Sequence, residues 1–297
     1  TLPIAYFLTG HGETALTDTF KSYIADDNIE LKDLSLISLN AVPDDADCVI
    51  INAPTSDISE YELDLLLTYM NGGGRVLLFT NFQYPGGENI AALCEAYGLK
   101  AVDGLVIESS SNYASQPYYL IAKKESHDIT DPLIDSDSYV IMPLAHGIKT
   151  IDAYRSSLTI STLLETSDDA FSKVDVENMT TFDKEEGDIG GGFILGAAVT
   201  ETVGDNEARF VWYSTSELLN DSLNVYSGGG NSNLILNTLS WMTDRQQGIT
   251  IRSLSLEAST LTMSSSASSF WFILLTFALP ISIVGFGFAV WYKRRKR

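Results

Sequence analysis

The residues best equipped for chemistry sit together near the start of the chain, in Thr9-Gly10-His11-Gly12-Glu13. An imidazole two residues from a carboxylate makes a ready acid/base pair. The glycines permit a tight turn that would aim both side chains at one point. The same five residues also read as a plain strand-to-helix turn, with Glu13 favouring the positive amino end of the next helix. Two nucleotide-binding motifs fail here. Gly10, Gly12 and Ala15 match G-x-G-x-x-G only loosely, and no acidic ribose partner follows a second strand; the Lys and Ser/Thr of a phosphate loop are missing. Asn52 and Asn81 end two neighbouring apolar runs and are the other side chains expected at the same crevice.

Elsewhere the candidates thin out. The chain has only three histidines, His11, His127 and His146, so a three-histidine metal site needs three distant segments to converge. Asp131, Asp135 and Asp137 cluster, as do Asp183, Glu185, Glu186 and Asp188, and both invite a calcium reading. Neither fits the EF-hand loop: counted from Asp135, its Gly position is Val140 and its Glu position is His146. Solvated surface is the default, with a different kind of calcium site as the alternative. Cys48 opens an apolar run and Cys94 lies on an apolar helix face, which predicts buried thiols and leaves a bridge between them open. Neither has a neighbouring His to activate it, and no G-x-S-x-G elbow exists. Asn178-Met179-Thr180 and Asn220-Asp221-Ser222 fit the glycosylation sequon. The expectation is a chain with no cofactor, no resident metal and no catalytic residue. Thr9, Gly10, His11, Gly12, Glu13, Asn52 and Asn81 would then be ligand or partner contacts.

The elements that must hold these residues alternate. Ile4 to Leu8 reads as a buried strand, and Leu16, Phe20, Tyr23 and Ile24 recur at helical spacing. Leu34 to Leu39 suggests a second strand, and Cys48 to Asn52 a third that is nearly all apolar. Ser59 and Glu62 form a capping box ahead of Leu63, Leu66, Leu67 and Met70, and Gly72-Gly73-Gly74 ends that helix. Arg75 to Thr80 is a fourth strand; Ile90, Leu93, Cys94 and Tyr97 form another helix face, closed by Gly98. This pattern predicts an α/β fold with a doubly wound, mostly parallel sheet. After Leu99 strand-like runs dominate, giving an additional β-rich region with one helix near Asn233 to Arg245 and a last strand from Thr250 to Leu256. One domain over residues 1–256 is expected, with a sub-boundary near 100–125 left open.

The charge is lopsided. The 297 residues carry 18 Lys+Arg and 39 Asp+Glu, a net −21. Five of those cations are Lys293, Arg294, Arg295, Lys296 and Arg297, so 13 cations face 39 carboxylates in the rest, a charge of −26. A body this acidic is no nucleic-acid binder. Before the basic tail, residues 270–292 run FWFILLTFALPISIVGFGFAVWY without a charge, about 34 Å as a helix and enough to cross a bilayer. Trp271 stands at one end and Trp291 with Tyr292 at the other, as interfacial aromatics do. The basic tail 293–297 predicts a cytoplasmic end, with the acidic domain outside a cell membrane crossed once. Residues 257–269, ending in SSSASS, read as a flexible Ser-rich tether. The chain opens on Thr1 without a cleavable signal and reads as a fragment or processed product.

The ordered set of YFLTGHGE (Tyr6 to Glu13), DADCVIINAPTSDISEYELDLLLTYMNGGGRVLLF (Asp45 to Phe79), HDIT (His127 to Thr130) and GNSNLILNTLSWM (Gly230 to Met242) resembles one family. So does the close, with Pro280, Gly285, Trp291 and the basic tail. The family is the gliding-motility-type (GldG-like) auxiliary subunit of ABC transporters, whose domain is similar to class I glutamine amidotransferase folds, a flavodoxin-type architecture. The resemblance implies a non-enzymatic, membrane-anchored accessory subunit. Its outer domain would contact the permease or an exported substrate, with ABC permease and ATPase subunits and the lipid bilayer as partners. Amidotransferases use a cysteine at a strand-to-helix elbow; the corresponding place here reads Thr80-Asn81-Phe82, so no catalytic residue carries over. Two other readings stay open: a tethered ligand-binding or hydrolytic domain using His11 and Glu13, and a structural surface protein.

Overall fold

A computed structural model describes residues 2–244 and 265–295. The expected strand Thr250 to Leu256, most of the tether, Lys296 and Arg297 lie outside the described residues. The first part of the body alternates β1 (Ile4–Leu8), α1 (Asp18–Asp26), β2 (Glu30–Leu34), β3 (Cys48–Asn52), α2 (Glu60–Asn71), β4 (Arg75–Phe79) and α3 (Glu88–Ala96). Strands then dominate: β5 (Leu99–Val102), β6 (Leu105–Ile107), β7 (Tyr119–Ile121) and β8 (Lys123–Lys124), then after the short α4 (Asp131–Asp135) β9 (Ile141–Pro143) and β10 (Gly147–Thr150). Next come β11 (Leu158–Glu165), β12 (Phe171–Lys173), β13 (Ile189–Gly190), β14 (Ile194–Val203) and β15 (Asn206–Tyr213), closed by α5 (Asp221–Tyr226) and α6 (Gly230–Met242).

Five strands form a parallel array in the order β2-β1-β3-β4-β15, and β14, β10 and β5 extend it antiparallel into a ten-stranded sheet that also takes in β11 and β8. The array is doubly wound, as the alternation predicts. Side chains of the parallel strands alternate between two cores, as a pleated strand buried on both faces requires. Ala5, Phe7, Cys48, Ile50, Leu77 and Phe79 face one core with Phe20 and Ile24 of α1 and Leu234 to Met242 of α6. Tyr6, Leu8, Val49, Ile51, Val76 and Leu78 face the other with Leu63, Leu66 and Met70 of α2 and Ile90, Leu93 and Cys94 of α3. Strands from both sides of residues 100–125 share this one sheet.

The second strand differs from the sequence reading. It runs from Glu30 to Leu34, and Leu36 to Ser38 form a 3₁₀ turn. Pairing with β1 ends where β1 ends: Leu8 sits opposite Leu34, and the Thr9 amide bonds the Leu34 carbonyl at 2.8 Å. Beyond that point Leu36 turns into the core while Ile37 is left outside.

The apolar carboxy-terminal segment is one run of helix, α7 (Ser265–Ile273), a π turn over Leu274–Ala278 and α8 (Leu279–Arg295). Over Ala267–Arg295 it is long and apolar enough to span a membrane, an 18-residue stretch within it having a mean hydropathy of 2.3. The π turn has a local cause. Pro280 has no amide hydrogen and its ring crowds the carbonyl four residues back, so the helix widens there and the Leu279 amide reaches the Leu274 carbonyl. Ser265 to Ser269 belong to this helix and not to the flexible tether expected for them.

Candidate functional site

In a parallel array of this strand order a crevice opens beyond the carboxyl ends of β1 and β3, where the order reverses. The loop Thr9 to Glu13 lies there, facing the loop that follows Asn52. Thr9 is tied to the Leu34 carbonyl by its amide and, at 3.1 Å, by its hydroxyl. Gly10 and Gly12 have φ of +121° and +73°, and a Cβ on Gly12 would stand 2.1 Å from Thr55 Oγ1. The His11 carbonyl accepts from the amides of Thr55 at 2.9 Å and Ser56 at 3.0 Å. Between those loops Ala53 holds a left-handed φ of +46°, its amide on the Phe79 carbonyl at 2.9 Å.

This frame turns His11 inward. Its side chain is 6% exposed and lies between two carboxylates: Nδ1 is 3.1 Å from Glu13 Oε1, and Nε2 is 3.1 Å from Glu62 Oε2. Glu13 Oε2 also accepts the His11 amide at 2.9 Å. Ionised carboxylates only accept, so both pairs are complete when both ring nitrogens carry hydrogen. Glu62 is the member that sequence reasoning placed only as a helix cap. It does complete the capping box, Oε2 taking the Ser59 amide at 2.9 Å and hydroxyl at 2.7 Å. The same oxygen also meets His11. Burial pushes the Glu62 carboxyl up, but the Ser59 donors and His11 outweigh it and hold the group below its usual range. The available signal was position: a capping-box Glu opening the helix after β3 must stand beside the β1–β3 crevice.

Asn52 belongs to the same cluster, its Nδ2 on the Thr14 carbonyl at 2.6 Å while its own carbonyl takes the Thr14 amide. Glu62 Oε1 and Asn52 Oδ1 are buried without a hydrogen-bond partner. Asn81 does a different job: its Oδ1 accepts from the amide and hydroxyl of Ser216, both at 3.0 Å, and anchors the turn after β15. The structure thus gathers Thr9, Gly10, His11, Gly12, Glu13 and Asn52, and ties Asn81 to another partner.

At the end of β4 the elbow position is Thr80, which is fully buried. Its Oγ1 accepts from Trp212 Nε1 at 2.8 Å and donates to His146 Nε2 at 2.7 Å, while His146 Nδ1 donates to the Gly147 carbonyl at 2.8 Å. Burial drives His146 down to about 4, so the ring is neutral and the relay is satisfied. The remaining candidates are internal ties. Buried Lys173 donates to Glu185 Oε2 at 2.5 Å and the Asp183 carbonyl at 2.7 Å, with Asp188 at 3.5 Å, so an ammonium sits within the acidic loop. His127 packs edge-on against Trp241. Cys48 and Cys94 are free and lie in the two cores on opposite faces of the sheet, out of reach of one another. Burial raises both thiols, Cys48 to about 12. Among the described residues no group of three or more His, Cys, Asp and Glu is arranged to hold a metal.

No family model matches the chain, and no curated protein is similar to it in sequence. Solved structures do share its fold. The N-terminal domain of mmIFT52 is 14% identical and superposes with a TM-score of 0.58, covering 81% of this chain and 97% of that one. A ThuA-like protein from Bacteroides uniformis, also 14% identical, covers 82% of this chain and 92% of its own with a TM-score of 0.49. PurLQS from Thermotoga maritima, 12% identical, covers 82% of this chain and 100% of its own at 0.42. At 14% identity the likeness to the mmIFT52 domain is one of fold alone.

Proposed function

We propose that this α/β body is a non-enzymatic accessory domain of an ABC transport system, held at the membrane by the helix ending at Arg295. It stands on the extracytoplasmic side and contacts the permease or the exported substrate. The observation that carries the reading is how the two positions fit for chemistry are used. Thr80 is enclosed in its relay with Trp212 and His146, and His11 is clamped between Glu13 and Glu62. Each reactive group is spent on holding the carboxyl end of the sheet in shape. The ordered resemblance to the gliding-motility-type subunits and the basic residues Lys293 to Arg295 after the apolar helix support the same reading. Co-purification in mild detergent tests it. Recovery of a permease and an ATPase with the intact chain is expected; their absence overturns the reading.

A second reading, a tethered binding domain, draws on the unpartnered Glu62 Oε1 and Asn52 Oδ1 beside the same turn. It requires that His11→Ala and Glu13→Ala abolish binding of a ligand found by screening while the fold persists. A ligand whose affinity survives both changes removes it.

A further inference from the structure

The carboxyl end of the sheet carries, beside the Thr9–Glu13 turn, an exposed apolar patch whose residues are held in place. Ile37 is 65% exposed although Leu36 before it is fully buried. Its Cδ1 lies over Gly10, 3.5 Å from where a Cβ would stand. Tyr61, 48% exposed on the first turn of α2, donates its hydroxyl to the Leu39 carbonyl at 3.0 Å, and Leu39 is itself exposed. The 3₁₀ turn and the start of α2 are thereby locked to each other around one surface. A rigid tyrosine beside aliphatic groups contributes contact area at little cost in side-chain entropy, the usual composition of an interface centre. Two exposed carboxylates stand beside Tyr61 on α2, Glu60 and Asp64, and neither has a basic partner within the described residues.

We infer that Ile37, Leu39 and Tyr61 form the docking surface for an extracytoplasmic loop of the permease that presents an apolar anchor next to a Lys or Arg. The inference rests on the accessory-subunit reading above. Charge complementarity selects this occupant. The body has 13 cations against 39 carboxylates, and at this patch the carboxylates stand uncompensated, so a basic segment gains where an acidic or second copy of this chain is repelled. The opposite end of the sheet differs: there Arg75 and Arg209 are already paired with Asp244.

The test places a photo-reactive amino acid at Ile37 of the full chain in its native membrane, with Asp205, in the β14–β15 turn at the other end of the sheet, as control. A permease adduct from position 37 and none from 205 is expected. Ile37→Asp and Tyr61→Ala should each lower permease recovery at least ten-fold, with the circular dichroism of the chain unchanged. An adduct from 205 but not from 37, or wild-type recovery by both variants, overturns the docking surface alone. Failure of the wild-type chain to bring down any permease overturns the accessory reading and this surface with it.

Discussion

Replacing Glu62 tests the clamp most directly, because one oxygen serves two structures. Oε2 takes the Ser59 amide and hydroxyl and stands against His11 Nε2, in a residue only 1% exposed. A buried hydrogen bond to a charged group contributes about 1.5–3 kcal/mol and a neutral one about 1. Glu62→Gln keeps the shape and the Ser59 contacts at neutral strength but removes the charge facing His11, which predicts a loss of about 2 kcal/mol. Glu62→Ala strips the capping box and leaves the His11 ring without its second carboxylate, and a broken buried pair costs about 3–5 kcal/mol. Ser59→Ala, which removes only the cap hydroxyl, should cost about 1 kcal/mol. Urea unfolding of the intact chain in detergent, followed by the fluorescence of its tryptophans, gives the midpoints. An unchanged slope means that stability alone has moved. The Glu62→Ala and His11→Ala changes should couple by at least ~1 kcal/mol in a double-mutant cycle. Additive losses, or a Glu62→Gln variant within ~0.5 kcal/mol of the parent, would refute the clamp.

His146 sits near pH 4 when folded and near 6.5 when unfolded. Its neutral, buried form is therefore favourable above about pH 6.5, and that contribution is lost as the pH falls from 6.5 towards 4, about 3 kcal/mol in all. His146→Gln should flatten the stability profile in that window, measured by unfolding midpoints from pH 7 to 4.5; an unchanged slope contradicts the assignment. Glu62, held below its usual range, adds a separate loss that begins only below about pH 4.5. Gly12→Ala forces a Cβ onto Thr55 Oγ1 at a left-handed φ and should cost at least ~2 kcal/mol. Thr55→Ala in the same chain should recover the clash and leave only about 1 kcal/mol of backbone strain, which thermal unfolding would show. Cys48 and Cys94 should resist a thiol reagent in the native chain and react on unfolding, so Asp205→Cys provides a single reactive site. Labelling of that site in intact cells by a membrane-impermeant maleimide is expected; labelling only after lysis would reverse the orientation.

What the sequence revealed followed the range of its physics. β1, β3 and β4 were legible because continuous apolar runs bounded by turn residues survive in any context, and α2 because Ser59 and Glu62 announce its start. β2 was not, since its residues Glu-Leu-Lys-Asp-Leu look like a loop until β1 supplies a partner. Nor was the place of β15: nothing local in Asn206 to Tyr213 says that it enters the parallel array beside β4, more than 130 residues upstream. The site divides the same way. His11 and Glu13 lie two residues apart and were visible, whereas Glu62 reaches His11 across 51 positions and had already been explained as a cap. Thr80, His146 and Trp212 form a chain of hydrogen bonds spanning 66 and 132 residues, which only the folded sheet assembles.

The cations of the body explain why its acidity faces outward. Lys21, Lys32, Arg75, Lys123, Arg155, Lys173 and Arg209 each already meet a carboxylate, and Lys124 is spent on the carbonyls of Leu133 and Ser138. His11 and Lys173, the buried bases facing acids, face two carboxylates each. At these two buried sites a lone charge would be costly, and each is compensated. Many of the remaining carboxylates stand exposed, and at physiological salt their field reaches about 8 Å into solvent. A group entering within that distance is sorted by sign before any contact forms: anionic lipid headgroups and other copies of this body are held off, and a basic segment is drawn in. The rigid apolar patch of Ile37, Leu39 and Tyr61 then decides which basic segment stays, because charge alone attracts many and only an apolar anchor fits that surface.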